Sequence, residues 1–252
     1  MASGAENTVL SIGGDCKAVP DQFFIDQYRK KAALADPMGQ TGRGREFHTL
    51  GFLHVVRETI TLLDLRHEHD VLDVGCANGL LDIALSACCR SVLAVEPVDE
   101  LVAHARKNLA DCPNVRVETG HGAAIPASDG SFDRTLVLEV IQLVAHDEVR
   151  KVFRELRRVT RSGGRILLGA ISDARHRREF LDSYLEGVRS APHLSLDRKT
   201  EIIANNEKAW WHDPAELIAC WSELGCHAKV QQPSPSFPNA DHRFHLIVSV
   251  EK

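Results

Sequence analysis

The sequence predicts an α/β fold, a doubly wound sheet that is mostly parallel and ends in an antiparallel C-terminal hairpin. Three observations carry this expectation. Short apolar runs alternate with helix-patterned stretches between residues 66 and 170, as βαβ units with right-handed crossovers require. A turn of small residues links the first of those runs to a helix. The last two apolar runs have no helix between them, so they pair antiparallel at a sheet edge.

In chain order, residues 1–20 are rich in small and polar types and read as a loose leader. Residues 21–31 suggest a short helix carrying Phe23, Phe24 and Tyr28, and the glycine-broken stretch 36–47 is loop. Leu50, Leu53, Val56, Ile60 and Leu63 then recur at helical spacing. Strands are expected at 71–74, 91–95, 115–118, 134–138 and 165–170, with helices at 80–89, 101–109 and 148–161. Ser162, Gly163 and Gly164 stop the last of these helices. Residues 172–211 interrupt the alternation with a mostly helical insertion, read as a lid over the strand ends. A helix at 214–224 stops at Gly225, and strands at 228–230 and 243–250 flank a proline-rich connection. The chain thus divides into a leader and helical cover, 1–65, and a core with its insertion, 66–252.

Bulk properties narrow the function. The 252 residues are 44% hydrophobic and 26% charged, ordinary for a globular enzyme with a sizeable core. A net charge of −5 argues against broad electrostatic capture of nucleic acid. The one basic run, Arg175 to Arg178, reads as a solvated helix face. The N-terminus lacks the charged start and apolar run of a signal peptide, and no apolar stretch is long enough to span a bilayer. Seven cysteines without C-x-x-C spacing fit neither a disulfide framework nor a zinc site, so no metal and a cytoplasmic setting are expected.

The chemistry concentrates in VLDVGCANG, residues 71–79. A buried strand ends at Asp73, and Gly75, Ala77 and Gly79 lead into a helix whose N-terminus offers free N–H groups to a ligand. The spacing fails G-x-G-x-x-G at its last glycine, which excludes the dinucleotide fingerprint. Glu96 ends the second strand in LAVEP, where a carboxylate can accept hydrogen bonds from both ribose hydroxyls of an adenosine.

From residue 71 to about 170 the chain resembles class I S-adenosylmethionine-dependent methyltransferases, especially the small-molecule (type 11, UbiE-like) group with a D-x-G-C-x-x-G signature. Three further landmarks match in order: GHGAAIPASDGSFD at 120–133, LVLEVIQLV at 136–144 and VFRELRRVTRSGGRILL at 152–168. The resemblance implies a Rossmann-like fold, S-adenosylmethionine as cofactor with S-adenosylhomocysteine as product, and methyl transfer to an oxygen or nitrogen of a small molecule. The alternatives are an RNA or protein acceptor, or a non-catalytic cofactor-binding module. It would set Asp73, Gly75, Cys76, Ala77 and Gly79 around the methionine part, Glu96 at the ribose, and Pro97 and Val98 near the adenine. His121 and Gly122 replace the family's Asp-Ala, whose acidic side chain meets the adenine amino group; a neutral imidazole can accept the same bond. Glu139 would contact the methionine end or shape the pocket, and Tyr28, with Arg43 and Arg45, would close over the site.

The family's general-base histidine is replaced by Leu143. Methyl transfer is an in-line displacement that depends chiefly on placing the nucleophile opposite sulfur, and a base matters when a hydroxyl must lose its proton. Glu139, His48, His54, His146 and His212 are the candidate bases. Trp210, Trp211 and Phe237 are candidates for pocket lining or packing.

Overall fold

The computed structural model describes residues 21–41, 49–192 and 194–251. Cys16, Arg43, Arg45 and His48 lie outside the described residues. Two helices, α1 (Gln22–Ala32) and α2 (Thr49–Leu63), precede the sheet. Then β1 (Asp70–Val74), α3 (Leu80–Ser86), β2 (Ser91–Glu96), α4 (Asp99–Asn108) and β3 (Val115–Thr119) form the first half. The second half is β4 (Phe132–Leu138), α5 (His146–Val159) and β5 (Thr160–Ser172). After it come α6 (Arg177–Ser190), α7 (Leu196–Lys208), α8 (Pro214–Glu223), β6 (Cys226–Gln231) and β7 (Arg243–Val250).

The seven strands run in the order β3-β2-β1-β4-β5-β7-β6. The first five are parallel, and β7 is antiparallel to both β5 and β6. The expected Rossmann-like arrangement and the hairpin are both present. Because the chain moves outward from β1 and then restarts at β4, the sheet has a switch point between them, where open α/β sheets bind ligands beyond the strands' carboxyl ends.

Side-chain alternation divides the core. Leu72, Val137, Ile166 and Leu168 face α5 and α8, whereas Val71, Leu136 and Leu167 face α2, α3 and α4. On α5, Val149, Val152, Phe153, Leu156 and Val159 are buried at helical spacing, and Phe153 stacks on Trp221 with centroids 4.4 Å apart.

The structure shortens two expected helices: α3 ends at Ser86, short of residue 89, and α5 ends at Val159. Residues 160 and 161 leave α5 and join β5, since Thr160 already pairs with Phe132. The glycine pair becomes a register shift: Arg134 next pairs with Arg165, and Gly163 adopts φ +78°. A Cβ at Gly164 would sit 2.7 Å from the Arg161 carbonyl oxygen, which explains the second glycine.

The N-terminal helices are tied to the sheet by polar groups. Arg134 Nε and Arg165 Nη1 donate to the carbonyls of Leu63 and Leu62, setting cations at the C-terminus of α2. Glu58 accepts from Ser234 N and from His245 Nε2, while His245 Nδ1 accepts from Ala170 N. Phe237 packs edge-on against His245 and so belongs to the sheet edge, not to a pocket. The insertion α6–α7 returns to the sheet through His212 N to Ser172 O and Trp210 N to Gln142 O, and Lys208 Nζ sits 3.9 Å from the Phe23 ring centroid on α1. Trp211 is buried beside Phe180. Arg175 pairs with Asp173, and Arg178 is almost wholly solvated. Among the described residues no helix is long and apolar enough to cross a membrane.

Trp221 is fully buried and is the α8 anchor of the first core face. Trp221→Ala should therefore cost about 3–5 kcal/mol of unfolding free energy, measured by denaturant titration.

Candidate cofactor and acceptor site

A cavity of about 380 Å³ opens at the switch point. Its wall includes the turn after β1, the end of β2, the loop after β3, the end of β4 and α1.

The turn is shaped by close approach. Gly75 N and Cys76 N both reach the Val95 carbonyl, at 2.7 and 3.2 Å. Gly75 has φ +83°, and a Cβ there would lie 2.4 Å from Val140 Cγ2. Ala77 keeps a left-handed φ of +51°, a strained conformation for a residue with a Cβ. That geometry aims Ala77 N at Glu96 Oε2, 3.0 Å away, while Val98 N donates to Glu96 Oε1 at 3.1 Å. Burial nevertheless dominates, and it pushes the Glu96 carboxyl up to about 7 against the pull of those two donors.

Two further carboxyls meet below the turn. Asp73, the last residue but one of β1, is buried. Asp82, on the first turn of α3, is completely buried, and its own desolvation together with the neighbouring Asp73 charge holds its pKa well above the usual range. Burial likewise raises the Cys76 thiol.

Glu139 follows β4 with φ +58°, its N–H donating to Gly169 O at 2.9 Å. Leu143 lines the cavity, so the position of the missing histidine is apolar in fact. On the facing side, Asn78 Nδ2 donates to Pro37 O and to Gln40 Oε1, pinning the loop after α1 onto the turn. Tyr28 lines the cavity and carries Lys31 Nζ 4.6 Å from its ring centroid. Burial lowers the Lys31 pKa, with Glu201 opposing.

Of the residues singled out from sequence, Asp73, Gly75, Cys76, Ala77, Glu96, Pro97, Val98, His121, Gly122, Glu139 and Tyr28 line this one cavity. Gly79 does not. Its missing Cβ instead makes room for Leu109 Cδ1, 2.6 Å from where it would be, so this glycine serves helix packing. Of the candidate histidines, the described ones, His54, His146 and His212, also lie outside the lining. His54 accepts from Arg57 on α2; His146 packs against Trp210 and His212. His212 is buried, donates through Nε2 to Ile141 O, and is depressed to about 4 mainly by desolvation. Sequence reading missed Thr41, Asn78 and Glu148, which also line the cavity. Only Asn78, inside the turn motif, carried a signal that could have singled it out.

Comparison with known proteins now bears on this geometry. The family model described as "Methyltransferase domain" matches residues 71–164, the run holding the turn, Glu96, His121 and Glu139. Residues 71–164 thus resemble a methyltransferase domain. A protein-L-isoaspartate O-methyltransferase of Rhodopseudomonas palustris is 34% identical over 128 residues, covering 50% of this chain and 58% of that protein. The chain therefore spans little more than half the length of such curated relatives. The structure of YcgJ from Bacillus subtilis covers 79% of this chain and 99% of its own at 18% identity, with a TM-score of 0.58. Phosphoethanolamine N-methyltransferase 1 of Haemonchus contortus, solved with phosphoethanolamine and S-adenosylhomocysteine, reaches a TM-score of 0.67 at 13% identity, over 92% of this chain and 49% of that one. These likenesses show that the fold is shared.

An acid held protonated by folding opposes stability once the unfolded chain ionises it. Asp82 therefore adds least stability above its unfolded pKa of about 4, and the deficit grows as pH rises toward its folded value. Asp82→Asn keeps the shape without the ionisation. It should raise Tm by several degrees at pH 8 and by clearly less at pH 5, read by differential scanning calorimetry.

Proposed function

We propose that the protein transfers a methyl group from S-adenosylmethionine to an oxygen or nitrogen of a small-molecule acceptor, by in-line displacement in an enclosed pocket. The observation that carries this reading is Glu96: a buried carboxylate at the end of β2, held by two backbone N–H groups, beside a turn that only a glycine at position 75 permits. The residues fit the cofactor. Two N–H donors leave Glu96 with lone pairs for two ribose hydroxyls, and Asn78 Oδ1 is buried on the wall with no hydrogen-bond partner. When bound, S-adenosylmethionine supplies an electrophilic methyl group on a sulfonium. Glu96 then binds the ribose, Pro97 and Val98 pack the adenine, the turn from Asp73 to Ala77 surrounds the methionine part, and α1 excludes water.

The charge of the wall supports the choice of acceptor. Its acids are Asp21, Asp73, Glu96, Glu139, Asp147 and Glu148, and no lysine or arginine is among the lining residues described. Such a wall repels a polyphosphate strand and suits a neutral or cationic acceptor. An amine attacks as the free base, which accords with His54, His146 and His212 lying outside the cavity lining. A cytoplasmic setting belongs to the same proposal, in keeping with six free cysteines among the described residues. A protein acceptor is the second reading, favoured by the similarity to protein-L-isoaspartate methyltransferases.

Calorimetry with S-adenosylmethionine and S-adenosylhomocysteine tests the whole reading, and failure of both to bind would overturn it. Glu96→Ala should weaken S-adenosylhomocysteine binding by about 1–3 kcal/mol, and an unchanged affinity would remove the ribose role. Since the Glu96 carboxyl is raised to about 7, the better acceptor, its ionised form, is lost as pH falls through that value. The same titration should show weaker binding at pH 6 than at pH 8, a difference that Glu96→Gln abolishes.

A further inference from the structure

We propose that Glu148 on α5 reads the amino group of the cofactor's adenine, the task that the family resemblance assigns to position 121. The inference rests on the reading that S-adenosylmethionine binds with its ribose at Glu96. Its geometry begins at Gly122, where a Cβ would lie 3.2 Å from Val152 Cγ1 and 3.4 Å from Val74 Cγ1. Helix α5 therefore presses directly on the wall formed by His121 and Gly122. Glu148 stands four residues before Val152, on the same helix face and one turn nearer the helix N-terminus. Both residues line the cavity.

The two oxygens of Glu148 differ. Oε1 accepts from Lys151 Nζ at 2.7 Å, whereas Oε2 is buried without a hydrogen-bond partner. A buried carboxylate oxygen lacking a donor is costly, and native sites with one generally await a ligand or water. A base whose ribose sits at Glu96 runs past Val98 and Gly122, and this brings its edge to α5. The amino group at that edge only donates and a carboxylate only accepts, so the match is charge-assisted and unambiguous. A neutral imidazole at position 121 would offer one donor and one acceptor, and would separate an amino from a carbonyl edge poorly. Asp147 also lines the cavity, but it is exposed and solvated.

The experiment compares S-adenosylhomocysteine with its deaminated analogue, S-inosylhomocysteine, which carries a ring carbonyl in place of the amino group. Calorimetry is run on the wild-type protein and on Glu148→Ala, Glu148→Gln and His121→Ala, with unfolding midpoints confirming that each variant is folded. The wild type should prefer S-adenosylhomocysteine by about tenfold or more, as a hydrogen bond to a charged group implies. Glu148→Ala should bring that ratio near one, while Glu148→Gln, which keeps an acceptor oxygen, and His121→Ala should both retain a preference. A full preference in Glu148→Ala, or its loss in His121→Ala alone, would overturn the assignment while leaving the cofactor reading intact. A wild type that binds neither compound would overturn both.

Discussion

The Val95 carbonyl receives two N–H groups from the turn after β1, and around that contact the site is organised. It draws the chain of β1 across the end of β2, closely enough that a side chain at position 75 would collide with Val140. The same path gives Ala77 its left-handed backbone and points its N–H at Glu96. One backbone arrangement therefore joins β1, β2 and the segment after β4. The strain at Ala77 and at Glu139 is tolerated because the packed sheet behind it over-determines both conformations.

Much of this was legible in the sequence, because the signals were local. Alternating burial reveals a strand from a handful of residues, and the elements between 66 and 170 stand close to where the periodicity puts them. The cofactor side of the cavity was legible for the same reason: Asp73, Gly75, Ala77 and Glu96 lie within two strand ends and one turn. The end of α5 was not legible, since the pairing of Thr160 with Phe132 is made across the sheet and overrides a helical pattern that runs on to Arg161.

What remained hidden depends on contacts between distant segments. Nothing around Asp82 in the chain announces that the side chain is sealed against Asp73, for the position reads as an ordinary helix-opening acid. Likewise, His54, His146 and His212 are alike in sequence yet have different surroundings: an arginine on α2, a tryptophan edge and a backbone carbonyl. The histidines thus belong to the framework around the cavity. The acids Glu139, Asp147 and Glu148 give its wall its character.

The bonds from Asn78 to Pro37 and Gln40 carry one more consequence. Asn78 belongs to the turn that shapes the pocket, and its partners belong to the segment closing the pocket from above. Occupancy of the pocket and seating of that segment are therefore reciprocal: whatever free energy a bound molecule lends to the seated segment, the seated segment returns in affinity.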